Sequence, residues 1–307
     1  MYAKSQVDGT AHDDHERTHP RASKTAPFQK LPQATPPSVM TADHCDLVPE
    51  GNHAMGNMQN KVAVVTGGMR GLGHAIAEEL IANDATVVIT DIDQEGVDEA
   101  AAALGPHCVG VLADVTDAAV MNDVMRDVAT RHGRIDVVVA NAGVGDSAVL
   151  GTITERQFNK IFDINVKGVL LTIQAALPHL SSTGSIILLG STGSIQAQQG
   201  MSLYCGSKAA LRGSLRGWIQ EVRGTGVRIN LLSPGAVDTP SLRLAFEGAS
   251  GADKVDELVT KMGEHNPLGR LVQPEEVAKA ALFLASEDSS AITGIELFVD
   301  GGVAQTG

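Results

Sequence analysis

Between Lys61 and Val299 the chain alternates two textures. Short apolar runs, "VAVVT" (62–66), "TVVIT" (86–90), "CVGVL" (108–112), "DVVVA" (136–140), "GSIILLG" (184–190), "VRINLL" (227–232) and "IELFV" (295–299), are separated by longer Ala-rich segments. Nearly continuous apolar runs predict strands covered on both faces, and their alternation with helices predicts βαβ units around a parallel sheet. Helices are expected over about 72–83, 94–104, 117–132, 155–180, 203–223 and 274–286, the last opening on Pro274, Glu275 and Glu276, which suit a helix N-terminus. Thr239 to Asn266 mixes Gly, Ser and Asp with sparse apolar residues and interrupts the alternation. An insertion after the sixth strand lies over any site built at that edge, so 239–266 reads as a substrate lid.

Residues 1–58 carry neither texture, with "HDDHERTHPRASK" and "LPQATPPS" among them. This stretch reads as a disordered extension ahead of a single α/β domain over 59–307, and Met55 or Met58 would serve as an alternative start. His12, His15, His19 and His44 could bind metal there, but no metal site is expected. A chain of 307 residues with 43% hydrophobic content buries a sizeable core, and with aromatics at 3% that core is built from Ala, Val, Ile, Leu and Gly. The net charge of −13 and the lack of a Lys/Arg-rich run exclude the electrostatic footprint of a nucleic-acid binder. Cys45, Cys108 and Cys205 form no CxxC pair, so neither a disulfide framework nor a zinc site is expected, which suits a reducing cytoplasm. No stretch approaches 18 uninterrupted apolar residues and the N-terminus lacks a signal-peptide core, so neither membrane insertion nor export is expected.

Chemistry concentrates at the predicted C-terminal strand ends. After the first strand comes "TGGMRGLG", Thr66 to Gly73, in which Gly67, Gly71 and Gly73 would turn the chain, let backbone N–H groups approach a pyrophosphate and pack the next helix on the sheet. Met69, Arg70 and Leu72 complete the loop. An acid, Asp91, follows 18 residues after Gly73 at the end of the second strand, beside Ile92. Its carboxylate would accept the ribose hydroxyls of NAD and repel the 2′-phosphate of NADP. Asp93 is an alternative acid, and Arg70 argues the other way because a guanidinium pairs with a phosphate. NAD is therefore expected over NADP. Asp114 and Val115 would meet the adenine, although Asp114 is nearly as well explained as a cap or turn residue. Asn141, Ala142 and Gly143 end the fourth strand, where small residues leave room for a cofactor, and Asn141 could equally brace neighbouring strands.

Ser191 ends the fifth strand, and 13 residues later Tyr204 stands four residues before Lys208. A phenol with an unperturbed pKa of about 10 is a poor base at neutral pH. A lysine one turn on and a cationic nicotinamide would both stabilise its phenolate. Taken alone, Tyr and Lys at this spacing more often brace a helix surface. Beside Ser191 and the glycine loop, they read as a proton-transfer pair.

With these motifs together, residues 60–303 resemble the short-chain dehydrogenase/reductase family: TGxxxGxG at 66–73, NAG at 141–143, YxxxK at 204–208, and the PG turn at Pro234 and Gly235. The resemblance implies a Rossmann-type, doubly wound three-layer fold whose seven parallel strands run 3-2-1-4-5-6-7. It implies Ser191, Tyr204 and Lys208 as the catalytic group, with Asn165 as a fourth member holding a proton-relay water at a break in the long helix. From the residues alone, Asn165 is a helix-bending polar residue. "SPGAVDTP" matches the family's PGxxxT segment, which implies that the Val237 N–H and the Thr239 hydroxyl bind the nicotinamide carboxamide; Thr239 could equally cap a lid helix. A homo-oligomer, tetramer or dimer, is implied as well. Cys205 departs from the small apolar residue usual beside the tyrosine and reads as a half-buried packing residue.

The activity expected is hydride transfer between NAD and a secondary alcohol or ketone. An NADP-dependent ketone or 3-oxoacyl reductase and a non-catalytic dinucleotide sensor are the alternatives, and the resemblance implies that relatives reducing a carbon–carbon double bond space their Tyr and Lys more widely than Tyr204 and Lys208. Pocket walls are expected from Val144–Ala148, Gly193–Met201 and the lid, with Gln196, Gln198 and Gln199 offering polar contacts.

Overall fold

The computed structural model describes residues 56–306; the expected N-terminal extension up to residue 55, with His12, His15, His19, His44, Cys45 and the alternative start at Met55, lies outside them. Met58 is fully buried and its N–H bonds Asn83 O, while the Gly56 N–H bonds Asp288, so the folded part reaches back at least to Gly56.

Every strand expected from an apolar run is present. In chain order the elements are β1 (Val62–Thr66), α1 (Gly71–Ala82), β2 (Thr86–Asp91), α2 (Gln94–Leu104), β3 (Cys108–Leu112), α3 (Ala118–His132), β4 (Ile135–Ala140), α4 (Glu155–Phe162), α5 (Val169–Ala176), β5 (Leu180–Leu189), α6 (Ser202–Glu221), β6 (Arg228–Pro234), α7 (Pro240–Ser250), α8 (Val255–Gly263), α9 (Pro274–Ala285), β7 (Glu296–Val299) and α10 (Val303–Thr306). The strands form one parallel sheet in the order β3-β2-β1-β4-β5-β6-β7.

Period-two alternation sends successive residues of a strand into two separate cores. In β1, Ala63 and Val65 join one core with α1, α2 and α9, while Val62 and Val64 join the other with α3, α5 and α6. This is the three-layer, doubly wound arrangement that the sequence predicts. Because the order reverses between β1 and β4, their following loops diverge and open a crevice at the C-terminal edge.

Two segments take forms that the apolar pattern alone did not specify, the first at the break implied by the family resemblance. The long helix expected over 155–180 is broken into α4 and α5 by a π-helical turn, Asp163–Gly168, and gives way at Leu177–His179, where Pro178 cannot continue the hydrogen-bond ladder. By length and composition Glu155–His179 could cross a membrane, yet α5 packs on β4, β5 and α3. The lid segment, which interrupts the predicted alternation, folds into α7 and α8. Thr239 caps α7, and Arg243 ties the pair together by bonding both oxygens of Asp238 and one of Asp256.

Candidate active site

The glycine loop leaves β1 in a left-handed turn. Gly67 has φ +66° and Gly71 φ +61°, conformations that disfavour any side chain. The loop is held to both neighbouring strands, since Gly68 N–H bonds Thr90 O and Asn141 Nδ2 bonds the carbonyls of Thr66 and Gly67, each at 2.9 Å. Thr66 Oγ1 in turn accepts from the N–H groups of Asn141 and Ala142 at 3.1 Å. Asn141 therefore takes the bracing role left open by the sequence. Gly73 packs α1 against this knot: a Cβ there would lie 2.2 Å from Gly67 O. At Gly71, by contrast, a Cβ would meet nothing within 4 Å. α1 opens at Arg70 with no side-chain cap and no acid in its first turn, leaving its first N–H groups free of intrahelical partners. An open cradle before an uncapped helix start fits the pyrophosphate of a dinucleotide.

Asp91, at the end of β2, is fixed by the N–H groups of Met69 at 3.3 Å and Ile92 at 2.9 Å. Asp93 is used elsewhere, accepting from Gly96 N–H as the cap of α2. Met69 and Leu72 pack into the core, Arg70 is exposed, and Ile92 exposes an apolar side chain beside Asp91. Asp114 Oδ1 accepts from the N–H and hydroxyl of Thr116, the turn role considered above, while Val115 is buried against Gly168.

Three elements bring the reacting groups together at the same edge. Ser191 follows β5, and its Oγ accepts from Gly193 N–H at 3.0 Å and acts on the Tyr204 hydroxyl, lowering its pKa. Tyr204 and Lys208 lie one turn apart on α6, with Nζ 5.8 Å from the ring centroid. Lys208 is buried and donates to Leu189 O at 2.7 Å. Burial raises the Tyr204 hydroxyl above its ordinary value, opposed by Ser191, and burial lowers the Lys208 ammonium to about 8. Each group is thus pushed toward its neutral form, the reverse for Tyr204 of the lowering expected with a bound cationic ring.

Asn165 sits in the π-helical turn with no exposed surface. Its Oδ1 accepts from Val144 N–H at 2.8 Å, and its Nδ2 donates to Val144 O at 2.9 Å and Ser207 Oγ at 3.0 Å. Ser207 Oγ donates to Tyr204 O, so the break in the helix locks onto the turn of α6 that carries the tyrosine. Sequence reasoning passed over Ser207, whose only signal is its place inside YxxxK. A Cβ on Gly143 would lie 3.3 Å from Asn165 Oδ1 and 3.5 Å from Lys208 Nζ, so the small residue is what gives access to this buried pair.

Pro234 ends β6, and Gly235 is pressed so close to Asp300 that a Cβ would lie 2.8 Å from it. Val237 pairs with Val272, and Thr239 Oγ1 accepts from Leu242 N–H, the capping role. Beside Tyr204 the open wall consists of Gly145, Gly193 and Met201; Gln196 has its Nε2 bonded to Val303 O, while Gln198 and Gln199 are exposed. Cys205 is buried against Gly193, and the Cys108 thiol is pushed up by burial to about 11. Among the described residues, no group of three or more His, Cys, Asp or Glu is placed to hold a metal ion.

A family model described as Enoyl-(Acyl carrier protein) reductase matches residues 67–304. "Oxidoreductase asL5" of Sarocladium schorii is 41% identical over 254 residues, covering 82% of this chain and 99% of that protein. "Diacetyl reductase [(S)-acetoin forming]" of Staphylococcus aureus is 37% identical over 252 residues, with coverages of 80% and 98%. The crystal structure of levodione reductase superposes with a TM-score of 0.77 at 28% identity, covering 81% of this chain and all of that one. The chain belongs to the short-chain dehydrogenase/reductase family and is an oxidoreductase of that type. Membership implies a nicotinamide cofactor, NAD or NADP.

Proposed function

We propose that the protein interconverts a secondary alcohol and a ketone using NAD in preference to NADP, with Tyr204 as general acid and base. The observation that carries this reading is buried Lys208, anchored to Leu189 O one helical turn from Tyr204, with Ser191 beside them at the same sheet edge as the glycine cradle.

Gly67, Gly71, Gly73 and the first turn of α1 would hold the pyrophosphate, Asp91 the ribose, Asp114, Val115 and Ile92 the adenine side, and Asn141 to Gly143, Pro234, Gly235, Val237 and Thr239 the nicotinamide half. When bound, the reduced nicotinamide supplies the hydride. In that direction Ser191 donates a hydrogen bond to the ketone oxygen and Tyr204 delivers the proton, giving the alcohol and a phenolate. Lys208 stabilises the phenolate by charge while Leu189 O holds its Nζ in place, and solvent restores the proton. With its side-chain amide bonded to Val144 and Ser207, Asn165 serves as a positioning residue that locks the helix break to the turn of α6 carrying Tyr204. The Asp91 carboxylate is held in place by two backbone N–H groups, whereas Arg70 is exposed at the helix cap. A fixed like charge discriminates against a 2′-phosphate more strongly than an exposed guanidinium recovers it. We further propose a cytoplasmic homo-oligomer, with residues 1–55 outside the catalytic domain and 239–266 acting as its lid.

The test is a substrate panel read by reduced-nicotinamide absorbance, with NADH and NADPH in parallel: diacetyl, levodione, a 3-oxoacyl thioester and a 2-enoyl thioester. Turnover of a ketone with NADH, lost by about 10²–10⁴-fold in Tyr204→Phe, is expected. Reduction of the enoyl thioester alone, or full activity in Tyr204→Phe, would overturn the reading, and a strong NADPH preference would overturn the role of Asp91.

A further inference from the structure

We propose that Glu296 is a positioning residue for Ser191, acting through the hydroxyl of Ser194. This rests on the assignment of Ser191 and Tyr204 to proton transfer made above.

Glu296 stands on β7, paired in register with Leu231 of β6, and its side chain is only 9% exposed. A carboxylate placed so deep is costly unless partners meet it. Three do. Arg212 Nε on α6 makes an ion pair with Oε2 at 2.6 Å without hydrogen-bond geometry, while Ser194 Oγ at 2.9 Å and Ser233 Oγ at 2.8 Å both donate to Oε1. Arg212 is two turns beyond Tyr204 on the same helix, and Ser194 closes the short turn that Ser191 opens. Glu296 thereby joins the two halves of the site, although it touches neither reacting hydroxyl.

Ser191 needs such a tether. Up to Gly190 the chain is held by the sheet, through Gly190 N–H to Leu232 O at 2.7 Å and Lys208 Nζ to Leu189 O. Ser191 then leaves the sheet into a single 3₁₀ turn, Thr192–Ser194, a geometry with weak hydrogen bonds of its own. Side chains bind this loop to the C-terminal segment at two points, Ser194 to Glu296 and Gln196 Nε2 to Val303 O at 2.9 Å. Only the first lies within the turn. Its loss frees the Ser191 hydroxyl to turn from Tyr204, and a misplacement of that order costs rate more than it costs fold.

The phenol of Tyr204 reports the tether directly, because Ser191 lowers its pKa and the chain holds one other tyrosine, Tyr2. In full-length Tyr2→Phe protein, phenolate absorbance is titrated for Ser191→Ala, Ser194→Ala, Glu296→Ala, Glu296→Gln and the double variant Ser191→Ala/Ser194→Ala. Ser191→Ala is expected to raise the Tyr204 midpoint, Ser194→Ala and Glu296→Ala to raise it in the same direction, and the double variant to add nothing further. Glu296→Gln, which keeps an acceptor for Ser194, is expected to restore most of the shift. With the ketone reduced fastest, kcat of Ser194→Ala falls about tenfold while NADH affinity is unchanged. An unmoved midpoint in Ser194→Ala, beside a raised one in Ser191→Ala, would overturn the role of Glu296 alone. An unmoved midpoint in Ser191→Ala would overturn the reading of the site itself. Glu296→Ala risks misfolding, and Ser194→Ala, which removes one hydroxyl, then decides the question.

Discussion

Lys208 keeps its charge where water does not reach it. Burial lowers its pKa from 10.5 to about 8, so at pH 7 the folded protein holds a protonated amine at a cost of about 3 kcal/mol. Between about pH 8 and 10.5 the folded form is neutral while the unfolded chain still binds the proton. The unfolded state then carries more protons, and this group's contribution to stability rises with pH across that window. Lys208→Met removes the cost but leaves Leu189 O unpaired, which takes back about 1 kcal/mol. The variant is therefore expected to be about 2 kcal/mol more stable than wild type at pH 7 and catalytically dead, with the advantage shrinking from pH 8 to 10.5. Denaturant melts of both proteins at pH 7 and 10 check this; a variant less stable than wild type at pH 7 would mean that the ammonium is better solvated than its burial implies. Stability given up at the residue that assists the base is a sign of function, because an apolar side chain at 208 would serve the fold better.

The glycine loop makes the corresponding argument for an element. Gly73→Ala would place a methyl 2.2 Å from a backbone carbonyl that two strands hold fixed, whereas Gly71→Ala meets nothing but carries a positive φ. Gly71→Ala is expected to cost about 1 kcal/mol in stability and to weaken NADH binding at least tenfold, because its methyl enters the cradle. Gly73→Ala is expected to lower Tm sharply before binding is even considered. Thermal melts and NADH fluorescence titration separate the two; equal binding by Gly71→Ala and wild type would remove the pyrophosphate from this loop. The loop and the strands were legible in the sequence because their causes are local, as in β1, where all five residues are buried. The break at Asn165 was implied by the family resemblance, but its π-helical form was not legible, since Asn165 draws its partners from 21 and 42 residues away. α7 was legible only through its possible cap at Thr239, because Leu242, Leu244 and Phe246 recur at the two-residue period of a strand and Leu244 lies exposed.

At the scale of the whole molecule, the same division holds between what is local and what is assembled. Glu296 reads in sequence only as a polar residue inside the last strand, and it gains meaning from Ser194, 102 residues earlier, and from the pairing of β7 with β6. β7 also ends the sheet. All four of its residues are half-buried, Ile295 before it is exposed, and Phe158, Leu170 and Leu177 expose apolar surface along α4 and the segment that follows. An open sheet edge and apolar side chains along one helical segment are surfaces that association covers. Against this stands a net charge of −13 per chain, a repulsion between copies that salt screens within about 10 Å at 0.1 M. Light scattering is therefore expected to give a mass that is a multiple of the 31.9 kDa chain at moderate salt, with dissociation promoted as ionic strength falls. Phe158→Glu, which adds a charge to the apolar face without entering the core, should shift the protein toward monomer and leave the Tyr204 titration unchanged. A wild type that stays monomeric at every salt concentration would mean that the exposed face and the open edge serve something other than a second copy.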